Sequence, residues 1–210
     1  MACAKACPSG ALQVCGSEIS VDELVAAVMA DKDFYEDTGG VTFSGGEPLR
    51  QYPFVAEVAK AIKAAGYTVT VDTCGEVAWE AFEAVMPHTD LFLYDVKAVT
   101  PQIHRHATGV DNTRILQNLE KLDGCGKDLW IRVPVIPTIN ASIQEMTQIA
   151  KLVAGLRHVK RVTLMPYHSL GHEGYAALGY TYGFDATLAV SDEEMVRFTD
   201  IFLQHGLTVH

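Results

Sequence analysis

Five short apolar stretches punctuate the chain, each followed at once by polar residues or glycine. They are Val41–Phe43, Tyr67–Val71, Leu91–Tyr94, Leu129–Ile131 and Arg161–Met165. Helical patterns separate them, over Pro53–Ala65, Ala78–Met86, Pro101–His106, Asn112–Leu122 and Ser142–Leu156. Strands alternating with helices pair in parallel, because the right-handed crossover returns the chain to the same sheet in the same direction. The strands read as near-continuous apolar runs, as in a sheet covered on both faces or closed into a barrel. The predicted fold class is therefore α/β. Ahead of the first strand, Ser20 and Glu23 make a capping box for a helix reaching about Lys32, and Thr38-Gly39-Gly40 is a flexible entry. At the far end, Ser191 caps a helix over Asp192–His205, and Leu207–His210 begins one more strand. A chain of 210 residues is long enough for one domain with a real core.

The residues after the strands carry the chemistry. The first strand runs into Ser44-Gly45-Gly46-Glu47-Pro48. Adjacent glycines at a strand end let bare backbone approach a ligand, and Glu47 adds a carboxylate, which suits a small ligand bearing an amino group. Alone, this stretch reads as a tight βα turn with a capping acid. Its company is Asp72-Thr73 after the second strand, Asp95-Val96-Lys97 after the third, Arg132 after the fourth and His168 after the fifth. In a parallel barrel these ends face one mouth. Acids, cations, hydroxyls, an imidazole and glycine backbone together suit a zwitterion joined to a heterocycle, such as an amino acid on a nucleoside. Each residue also has a plain reading: Asp95 and Lys97 as a salt bridge, Arg132 as a structural clamp, His168 as a loop histidine unrelated to His172.

Composition narrows the field. A net charge of −10 argues against non-specific nucleic-acid binding. No apolar run is long enough to span a bilayer and no signal peptide is evident, so a cytoplasmic address is the default. The five cysteines, Cys3, Cys7, Cys15, Cys74 and Cys125, are odd in number and include no Cys-x-x-Cys, which disfavours both a disulfide framework and a structural zinc site. Cys3-x-x-x-Cys7-Pro8 has the spacing that closes a bacterial ferredoxin run.

In order, Thr42-Phe-Ser-Gly-Gly-Glu-Pro48, Asp72-Thr-Cys-Gly75, Asp95-Val-Lys97, Trp130-Ile-Arg132 and Leu164-Met-Pro-Tyr-His168 resemble the glycyl radical enzyme activating enzymes. These are radical SAM (S-adenosylmethionine) proteins, and the likeness runs over nearly the whole chain. It implies a partial parallel (β/α) barrel over residues 17–210, lacking the first strand, behind a remnant of a ferredoxin-like insert at residues 1–16. It also implies that Ser44, Gly45, Gly46 and Glu47 hold the methionine amino end of SAM. Asp95, Val96 and Lys97 would lie by the methionine moiety, Arg132 by its carboxylate and His168 by the nucleoside. Asp72, Thr73 and Asp95 would share a monovalent cation. Cys3 and Cys7 would ligate an auxiliary 4Fe-4S cluster, and Cys74 is a variable position. In the family a 4Fe-4S cluster reduces SAM, and the 5′-deoxyadenosyl radical takes hydrogen from a glycine of a partner glycyl radical enzyme, with flavodoxin or ferredoxin as electron donor.

The family's cluster motif, Cys-x-x-x-Cys-x-x-Cys, does not occur. Cys3 and Cys7 have its first interval, but Gly10 stands at the third position. The expectation is that this motif and a first strand lie upstream of Met1, and that the chain as given is inactive. It also leaves Val41–Phe43 as an open edge. Other readings stay open: a radical SAM enzyme acting on a small molecule, a Schiff-base lyase with Lys97 as nucleophile, or a non-catalytic domain that binds SAM or the partner.

Overall fold

A computed structural model describes residues 2–12, 14, 16–36, 39–169, 174–175, 178–181, 183, 185 and 187–210. Cys15, Thr38 and His172 lie outside them. The elements are α1 (Ala2–Lys5), α2 (Val21–Met29), β1 (Gly40–Phe43), α3 (Tyr52–Ala64), β2 (Thr68–Thr73), α4 (Trp79–Val85) and β3 (Leu91–Asp95). There follow α5 (Pro101–Thr108), α6 (Thr113–Gly124), β4 (Asp128–Val135), α7 (Ile143–Ala154), β5 (Val159–Pro166) and α8 (Asp192–Gln204). All five strands pair in parallel, in the order β1-β2-β3-β4-β5, so each βα unit adds its strand beside the last. This is the strand arrangement of a partial (β/α) barrel, with β1 at one edge of the sheet.

The strands alternate more strictly than their sequence first indicated. β4 alternates half-buried and buried residues along its whole length. Its buried set, Leu129, Ile131, Val133 and Val135, joins Val71, Phe92, Tyr94, Val162 and Leu164 in one core with helix residues such as Phe82, Leu119, Met146, Ile149 and Phe202. The other set, including Asp72, Asp95, Trp130, Arg132 and Thr163, lies on the opposite, half-exposed face. Helices thus cover one face of the sheet, and the polar residues line the other. β4 also runs past the predicted end at Ile131, which puts Arg132 inside a strand.

The two serine caps predicted from sequence form, and Ser142 adds a third. Ser20 with Glu23 and Ser191 with Glu194 make complete capping boxes, and the Ser142 side chain accepts from the Glu145 N–H. Leu207–His210 forms a single bridge, Val209 to Val162, in place of a strand. No helix among the described residues is long and apolar enough to cross a membrane.

Candidate SAM site on the open face of the sheet

Parallel register places Asp95 directly beside Arg132. The Arg132 guanidinium donates to Asp95 Oδ1 through Nε at 3.0 Å and Nη2 at 2.8 Å. Nη2 also reaches across to Asp72. Lys97 Nζ closes the series on Asp95 Oδ2 at 2.9 Å. The result is an alternating row, Asp72, Arg132, Asp95, Lys97, of two carboxylates and two cations, each 17–27% exposed at the side chain. The row is neutral, so its charges are already compensated in a half-buried setting where unpaired ones would be expensive. Its two ends differ. Burial pushes the Asp72 carboxyl up; Arg132 opposes this, but the neighbouring Asp95 and Glu47 carboxylates add to it. Arg132 itself is held more firmly protonated, because Asp95 and Asp72 outweigh its own burial. One cation serves two acids, Asp95 makes two of the hydrogen bonds to it and also holds Lys97, so Asp72 is the less fully paired of the two.

Glu47 turns inward. Its carboxylate accepts from the Leu49 N–H at 3.1 Å, the Thr73 hydroxyl at 2.9 Å and the Cys74 N–H at 2.9 Å. It caps the 3₁₀ turn Pro48–Gln51 and ties the loop after β1 to the loop after β2. Thr73 is therefore a partner of Glu47. Successive strand side chains point to opposite faces, so Thr73 lies away from Asp72 and Asp95, and those two acids share a guanidinium. Ser44, Gly45 and Gly46 are exposed above this brace. Gly45 has φ +119°, a conformation only glycine adopts readily, and a Cβ on either glycine would meet no heavy atom within 4 Å. The glycines thus leave open space, the kind of cradle that a ligand fills. His168 is exposed, two residues beyond β5. Val96 is buried, and its N–H donates to the Arg132 carbonyl at 2.9 Å.

The loop after β2 rests on a residue that sequence reading passed over. Buried Asn118 donates to the carbonyls of Gly75 and Val77, both at 2.9 Å. Its signal was there: Asn118 interrupts an otherwise apolar face made by Ile115, Leu119 and Leu122. A polar residue on a core stripe has to find partners, and here they are loop carbonyls. Cys74 is half-buried, its thiol pushed up by burial and by Glu47.

The N-terminal cysteines stand apart. Cys3 is exposed on α1, and Cys7 lies just beyond it with its thiol held down to about 7, chiefly by the Ser9 hydroxyl. Among the described residues, no three His, Cys, Asp or Glu side chains are grouped to hold a metal. With Gly10 in the third position of the only partial motif, the residues of this chain do not fit the family's SAM-reducing cluster. The fit to SAM is better: an open glycine cradle, acids for an ammonium, and cations for a carboxylate. A groove of about 560 Å³ beside Glu76, between Arg105 and Arg114, shares none of these residues.

Comparison with known proteins gives three findings. Residues 6–153 match the radical SAM superfamily. The chain is 37% identical over 178 residues to the (2S)-3-sulfopropanediol dehydratase activating enzyme of Klebsiella oxytoca, covering 83% of this chain and 56% of that one. It is 31% identical to the 4-hydroxyphenylacetate decarboxylase activating enzyme of Clostridioides difficile, covering 99% of this chain and 66% of that one. The chain thus spans little more than half to two thirds of the length of these curated relatives. Among solved structures, a domain of pyruvate-formate lyase-activating enzyme from Bacteroides vulgatus superposes with a TM-score of 0.69 at 28% identity, covering 81% of this chain and 97% of that one.

Proposed function

The chain belongs to the radical SAM superfamily, and from that premise we propose that it is the SAM-binding core of a glycyl radical enzyme activating enzyme. The observation that carries the reading is the alternating row Asp72, Arg132, Asp95, Lys97 beside the open Gly45-Gly46 cradle. The names of the relatives support the same class. In this proposal the backbone of Ser44, Gly45 and Gly46 takes the methionine amino group, with Glu47 bracing the cradle from behind. Lys97 and Arg132 take the carboxylate. Arg132 keeps Nη1 without a partner among the described residues, so it can donate to a ligand oxygen without releasing Asp95. Asp95 flanks the methionine chain and exposed His168 meets the nucleoside, while Val96, its side chain buried in the core, contributes backbone alone. Bound SAM supplies the fragment that removes a hydrogen atom from a glycine of a partner glycyl radical enzyme. The residues of this chain bind and orient it. No electron-transfer step is assigned to them, because they do not fit the SAM-reducing cluster.

Three finer points belong to the same proposal. Residues 1–16 are the end of a ferredoxin-like insert, and the lowered Cys7 thiol suits a cluster ligand, with Cys3 as its companion. Flavodoxin or ferredoxin serves as electron donor. The protein works in the cytoplasm.

Calorimetric titration with SAM under anaerobic conditions tests the binding site. Wild type is expected to bind, and Arg132→Ala to lose at least about tenfold in affinity, the loss of one charge-assisted contact. A wild-type chain that is folded yet takes up no SAM would overturn the reading.

A further inference from the structure

The segment from Val96 to Thr100 joins β3 to α5 and carries Lys97. Beyond Val96 it leaves the sheet, so the ladder no longer supports it. Its backbone groups are nonetheless met by side chains from three other places in the chain: the N-cap of α6, the turn after β4, and α7. The Lys97 carbonyl accepts from Asn140 Nδ2 at 2.7 Å. The Ala98 and Val99 carbonyls accept from Asn112 Nδ2, both at 2.8 Å. The Val99 and Thr100 N–H groups donate to Glu145 Oε1 at 2.6 and 3.0 Å, and the Thr100 hydroxyl donates to Oε2 at 2.6 Å. Asn140, Asn112 and Glu145 are 0–1% exposed. Buried polar side chains of this kind are costly unless fully paired, and a fully paired network holds its backbone in one geometry.

Asn140 has a second attachment. The same amide nitrogen donates to the Pro134 carbonyl at 2.6 Å, and Oδ1 accepts from the Ile136 N–H at 2.7 Å. The β3–β4 pairing ends at Asp95 and Arg132, and Val96 makes the last backbone bond to β4. Just beyond, where the strands part, Asn140 replaces the missing rung by bridging Lys97 to Pro134. It thus sets the distance between the backbone bearing Lys97 and the strand bearing Arg132. The turn that delivers Asn140 is strained: Thr138, a β-branched residue, has φ +64°. Strain of this kind persists only where surrounding contacts hold it, and it gathers at functional sites.

We propose that Asn140, together with Asn112 and Glu145, is a positioning residue that fixes Lys97 relative to Arg132 so that both cations meet one ligand carboxylate. This rests on the SAM reading given above. The clamp touches no proposed ligand atom and acts through the loop backbone.

The test measures SAM affinity by calorimetry for Asn140→Ala, Asn112→Ala, Glu145→Ala and Glu145→Gln, each well below its own melting temperature. Glu145→Gln keeps one acceptor for the two N–H groups and serves as the conservative rescue. Asp123→Ala is the control. Asp123 is 6% exposed and holds the N–H groups of Arg157 and His158 at 2.8 Å, ahead of β5 and so at the other end of the sheet. The expected result is a loss of about tenfold or more for the three alanine variants, less than about threefold for Glu145→Gln, and no change for Asp123→Ala at matched loss of stability. If Asn140→Ala fails to fold, Thr138→Gly is added to relieve the turn, and Glu145→Ala against Glu145→Gln decides. Affinity that falls equally for the control, or that survives all three alanine variants, overturns the proposal. A wild type that binds no SAM overturns the functional reading instead.

Discussion

Among the described glycines, Gly75 leaves the least room for a Cβ. A Cβ there would stand 1.9 Å from the Tyr94 hydroxyl and 2.4 Å from its ring carbon, and the residue has φ +77°. Tyr94 cannot give way: it is fully buried, and its hydroxyl donates to the Ile115 carbonyl at 2.6 Å. Gly75→Ala should therefore lower stability by about 2–4 kcal/mol, measured by chemical denaturation, combining overpacking with strain. In a Tyr94→Phe background, which removes the nearest atom, the added cost should shrink; an undiminished cost would assign it to the backbone alone. At this scale the candidate site was mostly legible. Asp72, Asp95, Lys97 and Arg132 were all singled out from the sequence, because charged residues in or beside apolar strands stand out. The capping role of Glu47 was legible, since its side chain accepts from the Leu49 N–H as a capping acid should, but its brace to the next loop was not. Its partners, Thr73 and Cys74, are twenty-six and twenty-seven residues away, and only the folded chain brings their donors to its carboxylate.

At the level of elements, Asp123 shows how one side chain joins two of them. It sits in the last turn of α6 and accepts from the N–H groups of Arg157 and His158 and from His158 Nδ1 at 3.1 Å, fixing the approach to β5. Burial alone would raise its carboxyl, but these donors outweigh burial and hold it below the usual aspartate range. A carboxyl depressed on folding stabilises the fold above its unfolded pKa, and that contribution fades as pH falls through the folded value. Asp123→Asn should thus cost about 1–3 kcal/mol at neutral pH, through donors left poorly paired. The gap from wild type, followed by urea denaturation, should begin to close below about pH 4. A gap that stays constant down to acid unfolding would show that the charge plays no part. Strand parity is the lesson of the same scale. The apolar runs located all five strands, yet a short run does not say which face is covered. The full length of β4, with Arg132 and Pro134 inside it, reveals the alternation.

At the scale of the molecule, the buried apolar residues among those described form two clusters of unequal size. The larger runs from β2 to β5 beneath α4, α6, α7 and α8. The smaller gathers Val58, Ala59, Ile62 and Val69, with partly buried Leu24, Val28 and Val41 against it, and Phe43 touches both. β1 is one edge of the sheet, and α2 contains no fully buried residue. Fewer buried contacts mean a lower free energy of local opening. Amides of α2 and β1 should therefore exchange with deuterium well before those of β3 and β4, as mass spectrometry of peptides would show; simultaneous exchange would mean the two clusters open as one. Sequence alone determined the alternation of strands and helices from β1 to α8, the parallel sheet and the family resemblance, since hydrophobic period and short motifs are local properties of the chain. The tertiary structure decided what those motifs hold on to. Glu47 braces a neighbouring loop, Asp72 and Asp95 share Arg132, and three buried polar side chains hold the loop that bears Lys97. Such pairings depend on which strands lie side by side and where they part, and that geometry exists only once the sheet has closed its register.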